Sequence, residues 1–203
     1  MPADANTEIL LDAEAQDLLF RNARTANAFT DEPVTDAQIQ AIYDLIKYAP
    51  TSMNQQPLRI VLVRSQEARE RLVGHLTDGN KEKTAKAPLT AILAADFEFH
   101  ESLPRVYPRF PQAKDLLFSE RSVREQSAAF NGAIQVGYFI LGVRAAGLAA
   151  GPMTGFDAAG LSKEFFPEGD HRVLAVVNIG KPGENAWFAR SPRLDYEEVV
   201  TSV

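Results

Sequence analysis

The sequence contains no cysteine. That one absence excludes a thiol nucleophile, a CxxC redox pair, a thiolate metal site and any disulfide. Histidine is almost as scarce: His75, His100 and His171 are scattered along the chain rather than grouped. No apolar run approaches the roughly 20 residues that a membrane span needs. The polar opening Met-Pro-Ala-Asp-Ala-Asn lacks the basic start and apolar centre of a signal peptide, so the cytoplasm is the expected compartment. A basic field is missing as well. The net charge of -6 argues against a general binder of nucleic acid or membrane surfaces, because phosphate backbones are met by cations. It leaves room for a few arginines gathered round one small phosphate. The chain also has no GxGxxG, no P-loop and no GxSxG, which sets aside the common dinucleotide, nucleotide and serine-hydrolase sites. An enzyme built on this chain would therefore draw its reactivity from a bound organic cofactor.

What is present is the composition of an ordinary globular domain, 45% hydrophobic and 24% charged over 203 residues, with length for one domain and not two. There are no repeats and no linker. Asp12 to Asn22 reads as a helix. Thr35 and Gln38 have capping-box spacing at the head of a helix that puts Ile39, Ile42, Tyr43 and Ile46 on one stripe and stops before Pro50. Leu58 to Arg64 reads as a strand, and Ser65 caps a charged helix to about Leu76. Thr90 to Ala95 and Arg172 to Ile179 read as two more strands, and Asp157 to Phe165 as a helix. Ser122 to Ala146, closed by Gly147, is the longest helical candidate. It is apolar on several faces and rich in Ala and Gly, so a partner subunit is expected to cover part of it. The stretch 97–118, with Pro104, Pro108 and Pro111, reads as a lid-like structured loop or broken helix. The tail 184–203 has too few apolar residues for a core and is expected to lie across a partner. Asp96, Glu98 and His100 would share one strand face and could approach a metal; the plainer reading is a strand end entering a loop, and no metal is expected.

Five short segments carry the functional signal. They are Ala23-Arg24-Thr25-Ala26-Asn27-Ala28-Phe29, Pro50-Thr51-Ser52-Met53-Asn54-Gln55-Gln56-Pro57, Gly79-Asn80-Lys81-Glu82-Lys83, Ala150-Gly151-Pro152-Met153-Thr154-Gly155-Phe156-Asp157 and Ala189-Arg190-Ser191-Pro192-Arg193-Leu194. Taken singly, each has a plain structural reading. Arg24 can be a surface arginine, the second segment a Pro/Ser/Asn loop, and the fourth a turn that caps the helix after Asp157. Asn80 and Lys83 would share one helix face. Together, in this order, the segments resemble the FMN-dependent nitroreductase family over nearly the whole chain.

The resemblance implies an α+β, three-layer α/β/α fold: a small central mixed sheet flanked by helices, in an intertwined homodimer with FMN at the interface. It implies a single FMN-binding domain over 1–203. Arg24 and Thr25 would hold the flavin phosphate and ribityl chain. Asn27 stands where the family carries a cation, facing the pyrimidine ring. Pro50, Thr51, Ser52, Asn54 and Gln56 would line the phosphate and the flavin edge. Asn80 would reach the ribityl chain, and Lys83 would face N1/O2, where a cation stabilises the anionic reduced flavin. Pro152, Met153, Thr154 and Gly155 would form the turn whose backbone N–H meets flavin N5, a role resting on Gly and Pro geometry. Arg193 aligns best with the C-terminal phosphate-binding arginine, and Arg190 is the substitute for the family's lysine. NADH or NADPH would deliver hydride to N5, and a second substrate would then leave reduced. Within the family the chain looks most like the malonic semialdehyde reductase branch, whose product is 3-hydroxypropionate in pyrimidine breakdown. Arg105 and Arg109, with Tyr107 and Phe110, are the lid residues expected to meet such a carboxylate, with solvated loop arginines as the alternative. The rival functions are a broad nitroaromatic or quinone reductase with the same site and a non-catalytic flavin-binding dimer. Neither nucleic acid nor membrane is an expected partner.

Overall fold

A computed structural model describes residues 9–203. Four strands, β1 (Leu58–Val63), β2 (Leu89–Asp96), β3 (Ala149–Met153) and β4 (His171–Gly180), form one sheet in the order β1-β2-β4-β3. Every neighbouring pair is antiparallel. This corrects the expected mixed sheet. The strand sequences are apolar on both faces, which records burial and carries no information on direction. Ala149–Met153 is a strand in its own right, although its Gly151-Pro152 content hides it; Pro is tolerated there because β3 lies at the sheet's edge.

All eight residues of β2 are buried, and its alternation decides the layers. Leu89, Ala91 and Leu93 face a cluster with Ile42, Phe139 and Val143. Ile92 and Ala94 face the opposite cluster, with Leu72 and Leu161. The first cluster is covered by α2 (Asp36–Ile46) and α7 (Arg121–Ala145), the second by α3 (Gln66–Gly74) and α8 (Ala158–Phe165). Two helix layers therefore enclose the sheet, the expected α/β/α arrangement.

Local chemistry sets the helix ends. The Thr35 hydroxyl accepts from the Gln38 N–H at 3.2 Å, and the Gln38 side chain accepts from the Thr35 N–H at 2.8 Å, closing the capping box of α2. Ser65 and Asp157 cap α3 and α8 in the same manner. Gly147, at φ +73°, follows α7. The first helix, α1 (Ala13–Gln16), runs into a π-helical turn over Asp17–Arg21. A helix the charged sequence gives little sign of, α4 (Asp78–Lys86), follows α3.

The stretch 97–118 folds as a 3-10 turn (Phe99–Ser102) and two short helices, α5 (Leu103–Val106) and α6 (Ala113–Leu117). They close on a core of Phe97, Phe99, Leu103, Ala113 and Phe118. Because β2 ends at Asp96, Glu98 and His100 do not share a strand face with it. Asp96 pairs with Arg59, Glu98 with Arg124, and Glu101 with Lys114. A short final helix, α9 (Tyr196–Val199), lies in an exposed tail. Among the described residues no helix is long and apolar enough to cross a membrane.

Candidate functional site

Four of the five segments meet along the open edge of β3. The backbone of residues 24–27 runs beside that strand, with the Ala26 N–H donating to the Ala150 carbonyl at 3.0 Å. On its other side the Asn27 N–H donates to the Ala186 carbonyl at 2.9 Å, so the chain near the C-terminus covers the strap. The contact with β3 depends on Gly151, where a Cβ would lie 2.6 Å from the Ala26 carbonyl oxygen.

Helix α4 brings the third segment to the same place. Lys83 Nζ donates to Asn27 Oδ1 at 3.3 Å. Asn80 Nδ2 donates to the Gly155 carbonyl at 3.0 Å, and the Thr77 hydroxyl donates to the same oxygen at 3.0 Å. The turn after β3 is thereby clamped, with Thr154 exposed on its outer side. A Cβ at Gly155 would come within 2.6 Å of Asn80 Nδ2. The Asn80 amide thus holds the turn. Asn27, Gly79 and Lys83 border a cavity of about 340 Å³.

Arginines gather at the other end of the strap. Arg24 donates to the Phe188 carbonyl at 3.2 Å and lies 5.6 Å from the Trp187 ring centroid. Its Nε is buried with no hydrogen-bond partner. Arg190 donates to the carbonyls of Arg21 and Ala23. Arg144, at the end of α7, donates to the Leu19 carbonyl at 3.4 Å. Burial, and then Arg190 nearby, push its guanidinium below the usual arginine range. Arg24 and Arg144 border a cavity of about 200 Å³ with Trp187 and Pro182. Among the described residues none of these three arginines pairs with a carboxylate; each donates to backbone carbonyls. Arg193 donates to the carbonyls of its neighbours Ser191 and Pro192.

The remaining segment, 50–57, stands apart. Met53, Asn54 and Gln56 have φ of 49°, 52° and 47°, a left-handed conformation costing on the order of 1–3 kcal/mol for a non-glycine residue. The surroundings enforce it. Asn131 of α7 accepts from the Ser52 N–H at 2.8 Å, Thr51 Oγ1 accepts from the Gln56 N–H at 3.2 Å, and buried Gln55 accepts from Ser127 at 2.8 Å. Asn54 donates to the Val106 carbonyl at 2.8 Å, tying the turn to α5. Pro50, Ser52 and Asn54 remain exposed. Among the described residues no hydrogen bond joins this turn to residues 24–27, 80–83 or 153–155.

The lid arginines separate. Arg109 stacks over Tyr107, 4.8 Å from the ring centroid, with the Phe110 N–H donating back to the Tyr107 carbonyl. Arg105 instead borders a largely polar cavity of about 230 Å³ with Gln55, Gln56 and Arg59. Arg59 is committed to Asp96 at 2.5 Å. Sequence reasoning missed Arg144, Thr77 and Trp187. Only the last carried a signal, as the sole tryptophan of the chain, set just before Arg190.

Comparison with known proteins places this geometry. The sequence profile described as the nitroreductase family matches residues 20–181. A protein of Streptomyces griseus, provisionally named NADH dehydrogenase/NAD(P)H nitroreductase, is 69% identical over 195 residues, covering 96% of this chain and 99% of its own. Among solved structures, a nitroreductase-type protein of Bacillus subtilis superposes with a TM-score of 0.84 at 21% identity, covering 94% of this chain and 99% of its own. One from Exiguobacterium sibiricum, solved in complex with FMN, superposes with a TM-score of 0.82 at 18% identity, covering 95% and 98%. At those identities the two structures speak for the fold.

Proposed function

The chain belongs to the nitroreductase family, and on that premise we propose that it is an FMN-dependent oxidoreductase working with NADH or NADPH. The observation that carries the reading is Arg24 and Arg144 on one cavity with Arg190 close to Arg144 and bonded to the Ala23 carbonyl, none with a carboxylate among the described residues, at one end of the strap whose other end meets Lys83. The buried, unpartnered Arg24 Nε fits a phosphate there. When bound, FMN supplies the hydride relay between the nicotinamide and the second substrate.

The chain's own residues have separable tasks. Arg24 and Arg190, with Arg144 behind them, hold the phosphate and so fix how far the cofactor enters. Lys83, bonded to Asn27 at 3.3 Å, would supply the cation that Asn27 lacks at the cofactor's pyrimidine end. Thr154 and Gly155 present backbone N–H groups, held in place because the Gly155 carbonyl is engaged from behind by Thr77 and Asn80. The exposed 50–57 turn would reach a cofactor on a second copy of the chain. Support for that homodimer comes from apolar surface left open on one protomer: Phe130 on α7 is 70% exposed and Phe188 in the tail 73%.

For the acceptor we favour a short aldehyde bearing a carboxylate, malonic semialdehyde reduced to 3-hydroxypropionate. Arg105 supports this: among the described residues it has neither an ion pair nor a hydrogen-bond acceptor, and it stands over a polar cavity on the lid. Steady-state kinetics of Arg105→Ala test it. The expected result is a KM for malonic semialdehyde raised by about tenfold, the loss of one charge-assisted contact, with neutral quinones and nitroaromatics unaffected. Equal change on both classes, or none, would favour the broad nitroaromatic and quinone reductase.

A further inference from the structure

Helix α4 has an unusual problem of attachment. Its sequence, Asp-Gly-Asn-Lys-Glu-Lys-Thr-Ala-Lys, offers no apolar stripe, and Thr84 is its one buried residue. Hydrophobic packing therefore cannot set its position. Polar contacts must. Arg69 of α3 donates to the carbonyls of Thr84 and Ala87 at 2.9 and 2.5 Å, holding the helix's C-terminal end. Asn80 reaches the Gly155 carbonyl from the side, and Thr84 is the helix's one buried contact toward the sheet.

Thr84 stands at the end of a directed chain of hydrogen bonds through the core. Thr90 donates to Asn178 Oδ1 at 2.8 Å, Asn178 Nδ2 donates to Thr84 Oγ1 at 3.0 Å, and Thr84 Oγ1 lies 3.7 Å from Met153 Sδ, to which it can donate. Thr84, Thr90 and Asn178 have no exposed surface. Thr90 and Asn178 are direct partners across β2 and β4. Apolar side chains of the same shape would fill this space without the desolvation cost, so the polar chain adds little to stability by itself. What it does specify is position. Sliding α4 would part Thr84 from Asn178 and leave buried polar groups unpaired. Lys83 is the adjacent residue, and Asn80 lies one turn earlier on the same face.

We propose that Thr84 and Asn178 are positioning residues that fix Lys83 beside Asn27 and the Met153–Gly155 turn. Resting on the reading of Lys83 as the cation facing the cofactor, the proposal makes the flavin's reduction potential depend on a hydroxyl that never touches the cofactor. The test uses FMN-loaded protein and four variants: Thr84→Val, Thr84→Ser, Lys83→Met and the double Lys83→Met/Thr84→Val. Thr84→Val should retain FMN, lower the flavin midpoint potential and slow anaerobic reduction by NADH roughly three- to tenfold, the scale of coupling within one network. Thr84→Ser should restore both. In the Lys83→Met background Thr84→Val should add nothing, since its effect passes through Lys83. The proposal is overturned if Lys83→Met shifts the potential while Thr84→Val does not, or if the Thr84→Val effect persists undiminished in the Lys83→Met background. An unchanged potential in Lys83→Met itself would remove the reading of Lys83, and this proposal with it. Should the amide of Asn178, left unpaired, keep Thr84→Val from folding, the combined change Thr84→Val/Thr90→Val/Asn178→Val removes every member of the buried chain and is read by the same criteria.

Discussion

A methyl group at Gly151 would lie 2.6 Å from the carbonyl oxygen of Ala26, a backbone atom that cannot move without moving the whole 24–27 strap. Gly151→Ala is therefore expected to lift Arg24 and Asn27 from β3 while the sheet stays formed. Overpacking of this kind costs about 1–3 kcal/mol. Chemical denaturation should show that loss together with weaker FMN retention; wild-type affinity in a destabilised protein would mean that the strap does not position the cofactor. The same scale shows what could be read from sequence. Arg24, Asn27, Asn80, Lys83 and Gly155 were legible as motif residues, and the fold brings them to one surface. Arg144 was not, because an arginine at the end of a long helix looks like any helix-terminal cation until the chain from Leu19 is seen packed over it. Asn178 was hidden differently. It interrupts the apolar run Val-Val-Asn-Ile, and such an interruption shows that a partner exists without saying which.

Among the elements, the lid joins its two halves through Glu101, in the 3-10 turn, and Lys114, in α6. Lys114 beside it holds the Glu101 carboxyl below the usual carboxylate range, and Glu101 in turn raises the Lys114 ammonium. The signs follow directly. A lowered carboxyl contributes above its unfolded value, about 4.3, and that contribution fades as pH falls through the lowered value. A raised ammonium contributes below about 10.4, fading as pH climbs beyond it. The lid is thus expected to keep this tie across the neutral range and lose it only toward either extreme. The Glu101 side chain is exposed and that of Lys114 partly so, and the effect is modest and screened by salt. Hydrogen exchange of residues 98–117 at pH 7 and pH 3, corrected for intrinsic rates, should show extra opening at pH 3 in the native protein and none in Lys114→Gln. An equal response in both would assign the acid opening to other groups. Caps and periodicities placed α2, α3, α7 and α8 from sequence within a residue or two. For α4 the sequence offers only the helix face shared by Asn80 and Lys83, because polar anchors rather than an apolar stripe hold it; strand β3 escaped because it is built on Gly and Pro.

At the scale of the whole molecule, the chain holds every recognised segment but, among the described residues, leaves two groups without a hydrogen bond between them: residues 24–27, 80–83 and 153–155, and the strained 50–57 turn. Backbone strain at Met53, Asn54 and Gln56 is maintained by Asn131, Thr51 and Ser127. Exposed polar groups kept in so costly a conformation are expected to serve a ligand. If each site takes one group from each of two chains, defects in different groups must complement. Arg24→Ala would remove the proposed phosphate contact from the first group, and Ser52→Trp would fill the space before the second. Each homodimer should retain little FMN. In a mixed dimer one site carries both defects and the other carries neither. Co-expression with random pairing makes half of all dimers mixed, so about a quarter of the sites should be intact, the consequence of a two-fold interface that shares its sites. Bound FMN measured by absorbance in protein captured through two different tags, which selects the mixed dimers, should rise toward one flavin per two chains. Sites built within single chains would give no rise at all, because each chain would carry its own defect into its own site.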